Sequence, residues 1–100
     1  MVMKNIPNKE QIVERLETII DPELSIDIYT MGLIYDIQIL SKNDVKVIMT
    51  FTTPTCPVGP MLIGEVEKEI KILGFKNVEV EITFEPMWTP PTELRAALGI

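Results

Sequence analysis

Between Lys9 and Ile20 the apolar residues Ile12, Val13, Leu16, Ile19 and Ile20 recur three and four positions apart, the spacing of one helical face. Asn8 with Gln11 three residues on has the form of a capping box, so the spacing predicts a helix over residues 9–20. Pro22 restricts Asp21 and ends that helix, leaving Asp21-Pro22-Glu23 as a corner with two carboxylates. Residues 25–31 predict a short irregular or single-turn segment, and Gly32 gives the backbone freedom to enter a strand. From there the period changes to two. Leu33, Tyr35, Ile37 and Ile39 fall on one face, Asp36 and Gln38 on the other; after a turn at Ser41-Lys42-Asn43-Asp44 the alternation resumes at Val45, Val47, Met49 and Phe51. Two such runs around a polar turn predict an antiparallel hairpin.

Helical spacing returns at Leu62, Val66, Ile70 and Leu73, with Glu65, Lys68, Glu69 and Lys71 largely on the opposite side and Gly74 suited to end the helix. Val78, Val80, Ile82 and Phe84 then alternate with Glu79, Glu81 and Thr83 as a third strand. A strand–helix–strand unit closes with a right-handed crossover, which puts the third strand parallel to the second. Asp36, Gln38, Lys46, Thr50, Glu79, Glu81 and Thr83 make the remaining strand positions mostly polar, so one side of the sheet is expected to face solvent or a partner. Glu85-Pro86-Met87-Trp88-Thr89-Pro90-Pro91 breaks regular structure, and Thr92 caps a last helix over residues 93–98. The expected class is a two-layer α+β fold of order α-β-β-α-β-α. It has a small three-stranded mixed sheet, helices packed mainly on one face, and residues 1–100 as a single domain.

Composition narrows the function. The formal charge is −6, and no cluster of Lys or Arg marks a nucleic-acid surface. No apolar run approaches the ~18 residues of a membrane span, and the N-terminal residues lead into polar sequence rather than a secretory segment, so a cytoplasmic protein is expected. The chain has no histidine, which excludes a Cys-His pair, a Ser-His-Asp triad or a His-ligated zinc within one subunit. It has no glycine-rich phosphate loop either, so no nucleotide cofactor and no self-contained enzyme are expected.

The chemistry is left to Cys56, the one cysteine, in the stretch TFTTPTCPVGP at residues 50–60. Pro54, Pro57 and Pro60 fix φ and Gly59 permits a tight bend, so this strand-to-helix loop should be stiff. A thiol just ahead of a helix N-terminus is favoured as thiolate, the form that attacks electrophiles and binds metals. The hydroxyls of Thr52, Thr53 and Thr55 are placed to donate to it. The alternative is a free cysteine packed as a small hydrophobe. Asp21 and Glu23 either form a turn or project towards Cys56 as oxygen ligands or proton acceptors. Trp88, beyond the end of the third strand and so on the same sheet edge as the loop, either walls the thiol from water or anchors the last helix. Tyr29 and Tyr35 have the positions of core or rim aromatics.

Taken together, Asp21-Pro22-Glu23, Met31-Gly32-Leu33-Ile34-Tyr35-Asp36, Thr52-Thr53-Pro54-Thr55-Cys56-Pro57, Glu85-Pro86-Met87-Trp88-Thr89-Pro90 and Leu94-Arg95-Ala96-Ala97-Leu98-Gly99 resemble the SufT/PaaD-like family of metal-sulfur cluster biosynthetic proteins. The resemblance runs from about Ile12 to Gly99. It implies an α+β fold and a role in iron-sulfur cluster assembly or in maturation of cluster enzymes. It also implies functional positions at Asp21, Glu23, Thr52, Thr53 and Cys56. One thiolate cannot hold a four-cysteine cluster, so cluster contact would need a second subunit, as in a homodimer, or outside ligands. The expectation is a non-catalytic factor whose Cys56 contacts iron or a cluster transiently and which docks scaffold, carrier or client apoproteins. The alternatives are a persulfide relay through Cys56 and an adaptor in which the thiol is incidental.

Overall fold

The computed structural model describes residues 7–22, 24–55 and 57–92; Glu23, Cys56 and the expected helix at residues 93–98 lie outside them. Helix α1 (Lys9–Leu16) opens on the expected capping box. Asn8 Oδ1 accepts from the Gln11 N–H and Gln11 Oε1 from the Asn8 N–H, both at 2.9 Å. The helix ends four residues earlier than its spacing predicts. Ile19 and Asp21 are buried while Ile20 between them is 49 % exposed, a period of two rather than 3.6. Ile20–Asp21 forms strand β1 and pairs antiparallel with Ile26–Asp27, strand β2, so part of the segment expected to be irregular is strand. Two local causes act together. Thr18-Ile19-Ile20 is a β-branched run, and the Thr18 hydroxyl donates to the Arg15 carbonyl at 2.6 Å, an oxygen a longer helix would use.

The main sheet has the order β3-β4-β5. Strands β3 (Ile34–Ile39) and β4 (Asp44–Met49) form the expected antiparallel hairpin, and β5 (Asn77–Ile82) lies parallel to β4. The register breaks at Tyr35. Ile34 pairs with Met49 and Asp36 with Ile48, so Tyr35 is an extra residue in a bulge. Ile34 therefore shares the inner face with Ile37 and Ile39, where simple alternation had put Tyr35. The Tyr35 hydroxyl instead donates to the Pro86 carbonyl at 2.8 Å.

Helix α2 (Gly59–Lys71) carries β4 across to β5. Its stripe of Leu62, Val66 and Ile70 is fully buried in one core with Ile12 and Leu16 of α1 and Ile37, Val45, Val47 and Met49 of the sheet. Burying a side chain of this size contributes about 1.5–3 kcal/mol, so these positions hold the layers together. Both helices pack on that face, and the Arg15 guanidinium bridges them through the Glu69 carboxylate. On the opposite face Lys46 and Glu81 pair at 2.8 Å. Thr50, expected on that polar side, is instead fully buried. It lies one residue past β4, where alternation has ended and its N–H donates to the carbonyl of buried Leu33 at 2.9 Å. Gly74 turns the chain after α2 with φ +111° and leads into buried Phe75. Among the described residues no helix is long and apolar enough to cross a membrane.

Candidate functional site

The parallel pairing of β4 and β5 brings the ends of both strands to one edge, and the Thr83 N–H closes that edge on the Met49 carbonyl at 2.9 Å. The cysteine loop leaves from this edge at Phe51 and returns at Gly59, the first residue of α2. Gly59 is buried against the Phe51 ring: a Cβ added there would lie 2.8 Å from Cε2 and 2.9 Å from Cζ of Phe51. Carbon contacts are optimal at about 3.5–4.0 Å, so only glycine fits without displacing the ring. Phe51 in turn meets Phe84, just beyond β5, at 6.4 Å between centroids and 59° between planes, a favoured tilted arrangement. The sequence assigned Phe51 and Phe84 to strand faces only. The signal that was there is an aromatic at a strand end facing a glycine at the next helix start.

Between those ends Thr52 is half-buried, and Thr53, Pro54, Thr55 and Pro57 are exposed. These described residues of the loop face solvent rather than the core. No charged residue occurs from Thr50 to Gly64. The first turn of α2 has no acidic residue, Val58 makes no side-chain cap, and Pro60 has no N–H. The positive end of this helix is therefore not neutralised by its own first turn. Cys56, three residues before Gly59, lies outside the described residues.

Asp21 is 1 % exposed at the tip of the β1–β2 hairpin. Its Oδ1 accepts from the Leu24 N–H at 3.3 Å, its carbonyl accepts from the Ser25 N–H at 2.7 Å, and Ser25 is held at φ +59°. The carboxylate thus shapes the turn. A ladder of main-chain bonds connects this hairpin to the loop edge: Ile28 N–H to Ile19 O at 3.0 Å, Leu33 N–H to Ile28 O at 3.1 Å, and Thr50 N–H to Leu33 O at 2.9 Å. Glu23, its companion carboxylate, lies outside the described residues.

Trp88 packs partly buried against the core, and its Nε1–H donates to the Met31 carbonyl at 2.8 Å. It fastens the proline-rich C-terminal segment to the Met31-Gly32 turn, one hydrogen-bond step from Thr50. Grooves of about 700 Å³ beside Tyr29 and α1, and about 390 Å³ beside Leu40 and Asn77, contain no described residue of the cysteine loop. Among the described residues no group of three His, Cys, Asp or Glu side chains converges to hold a metal ion.

Residues 9–82 match the family described as iron-sulfur cluster assembly protein. The chain is 39 % identical over 96 residues to the Fe-S protein maturation auxiliary factor YitW of Bacillus subtilis, covering 92 % of this chain and 94 % of that one. It is 39 % identical over 86 residues to the Fe-S protein maturation auxiliary factor SufT of Staphylococcus aureus, covering 82 % of this chain and 98 % of that one. Its structure superposes on a conserved hypothetical protein of Thermotoga maritima with a TM-score of 0.84 and 46 % identity, covering 98 % and 100 % of the two chains.

Proposed function

The chain belongs to the family of iron-sulfur cluster assembly proteins, and from that premise we propose that it is a non-catalytic maturation factor that contacts iron or a cluster transiently through Cys56. The observation that carries this reading is the family membership joined to the loop's geometry: an exposed, uncharged, proline-braced segment pinned to the sheet at one end and to an acid-free helix start at the other. A thiolate in a loop that leads into an unneutralised helix start is favoured by the positive end of that helix. With one cysteine per chain and no histidine, a cluster is cargo completed by ligands from outside the subunit. Two copies of the loop in a homodimer, or a carrier or client protein, supply them. Such a site holds cargo weakly, which suits handing a cluster on rather than cycling electrons through it. Asp21 supports the site from within its hairpin, Thr52 and Thr53 line the loop's first turn, and the protein works in the cytoplasm among carriers and client apoproteins.

Anaerobic reconstitution of wild type and Cys56→Ser with ferrous iron and sulfide tests this, read by visible absorption and size-exclusion chromatography. A labile cluster spectrum on wild type, lost in a mutant that still unfolds cooperatively, is the expected result. Colourless protein in both, with maturation activity surviving Cys56→Ser, would leave only an adaptor role. A mass increase of about 32 on the wild-type thiol would point to a persulfide instead.

A further inference from the structure

We propose that Phe51 is the positioning residue of this site, an aromatic clamp that sets how the cysteine loop is presented by joining its two ends to the sheet. This rests on the reading above, in which the loop's thiol is the contact to cargo.

Phe51 is the last residue before the loop at residues 52–58, and Gly59 is the first residue after it. The close approach of the Phe51 ring to the Gly59 Cα spans the base of the loop, because the volume a Cβ would need at 59 is already filled by Cε2 and Cζ. The ring is backed by Phe84. Phe84 follows Thr83, whose N–H is bonded to the Met49 carbonyl, so the backing sits one residue past a bond that extends the β4–β5 pairing. One side chain therefore references the start of the loop, the first turn of α2 and the end of β5 to each other. Its neighbour Thr50 is fully buried and bonded to Leu33, which fixes the direction in which the chain enters Phe51. No charge lies between Thr50 and Gly64, so the loop has no ion pair of its own to keep its ends together if the ring is lost. Seven residues with two prolines have few conformations once both ends are pinned, and more when they are not. Phe51 touches no cargo; it acts through the loop.

The test is the rate of Cys56 alkylation by iodoacetamide at one fixed pH, without metal or client. It is measured on wild type, Phe51→Leu, Phe51→Tyr and Gly59→Ala, each alongside its urea-unfolded chain and a thermal melt. Wild type should react at a rate distinct from its unfolded chain, as a thiol whose reactivity is set by its surroundings does. Phe51→Leu and Gly59→Ala, while still melting cooperatively, should move about threefold or more towards the unfolded rate, and Phe51→Tyr, which keeps the ring, should hold the wild-type rate. Combining Phe51→Leu with Gly59→Ala should add nothing further, because the ring that the new methyl would strike is gone. Should Phe51→Leu fail to fold, Phe84→Leu removes the backing from outside the loop and is read the same way. A folded Phe51→Leu (or Phe84→Leu) with the wild-type rate, or a wild-type rate equal to that of the unfolded chain, overturns the proposal. Because neither iron nor client is present, a failed cluster reconstitution leaves this result standing, and the reverse also holds.

Discussion

At Gly32 the backbone has φ +81°, and an added Cβ would lie 3.4 Å from Pro91 Cγ and 3.7 Å from Trp88 Nε1. Side chains in left-handed backbone cost about 1–2 kcal/mol, and the contacts the methyl would make are ordinary, so the backbone conformation sets the cost. Gly64 is the opposite case, an exposed residue inside α2 with nothing within 4 Å of its would-be Cβ. Glycine in a helix interior costs about 0.5–1 kcal/mol relative to alanine, with no compensating contact here. Urea unfolding should therefore show Gly32→Ala destabilised by about 1–2 kcal/mol and Gly64→Ala stabilised by about 0.5–1 kcal/mol. Similar midpoints for the two variants would mean that the turn at Gly32 relaxes freely.

The elements show where pattern suffices and where it fails. The stripe Leu62, Val66, Ile70 and the alternation Val45, Val47, Met49 were legible because each segment is long and buries one face. The end of α1 was not legible, since Ile19 and Ile20 continue its helical spacing while equally fitting a strand; only pairing with Ile26–Asp27, a partner with no period of its own, decides for the strand. The bulge at Tyr35 was hidden for a related reason: one extra residue shifts parity without altering composition. At the candidate site the strand–loop–helix path and the common edge of β4 and β5 were readable, but the Phe51–Gly59–Phe84 contact was not, because it joins residues across the loop and across the sheet. Among the described residues two long-range side-chain hydrogen bonds tie down the C-terminal segment, and they should differ in weight. Trp88 donates to a carbonyl of buried Met31, so Trp88→Phe strands a buried acceptor and should cost about 1–3 kcal/mol, lowering Tm by roughly 4–8 °C per kcal/mol. Tyr35 donates to exposed Pro86, whose carbonyl returns to water in Tyr35→Phe, so that variant should melt much closer to wild type. The reverse order in the melts would place the main anchor at Tyr35.

Across the whole molecule, the absence of histidine makes the pH dependence of stability depend on its carboxylates and lysines. Asp44 accepts from the Ser41 hydroxyl at 2.6 Å and the Asn77 side chain at 2.7 Å, and these bonds, Ser41's first, hold its pKa below the ordinary 3.8. The Gln38 amide does the same for Asp36. Lys46 is pushed above its ordinary 10.5, chiefly by Glu81. A depressed carboxylate stabilises the fold fully above its unfolded pKa and ceases to do so as pH falls through the folded one. A raised lysine stabilises below its unfolded pKa and is lost as pH rises through the folded one. Asp36 is exposed and Asp44 and Lys46 are half-buried at the surface, so each effect is small. The urea midpoint should be flat from about pH 5 to about pH 8, fall below about pH 4 and fall again above about pH 10.5. The acid limb is the informative one. Lowering the pH brings the net charge from −6 to zero at the isoelectric point near 4.5, and below that the charge turns positive and self-repulsion grows again. Overall charge therefore also lowers the midpoint along the acid limb, and Asp44→Asn, which keeps the shape but removes the carboxylate whose protonation is read, isolates the specific bonds and should make that limb shallower. An acid limb that Asp44→Asn leaves unchanged would mean that the lock between the β3–β4 turn and the start of β5 contributes nothing in solution.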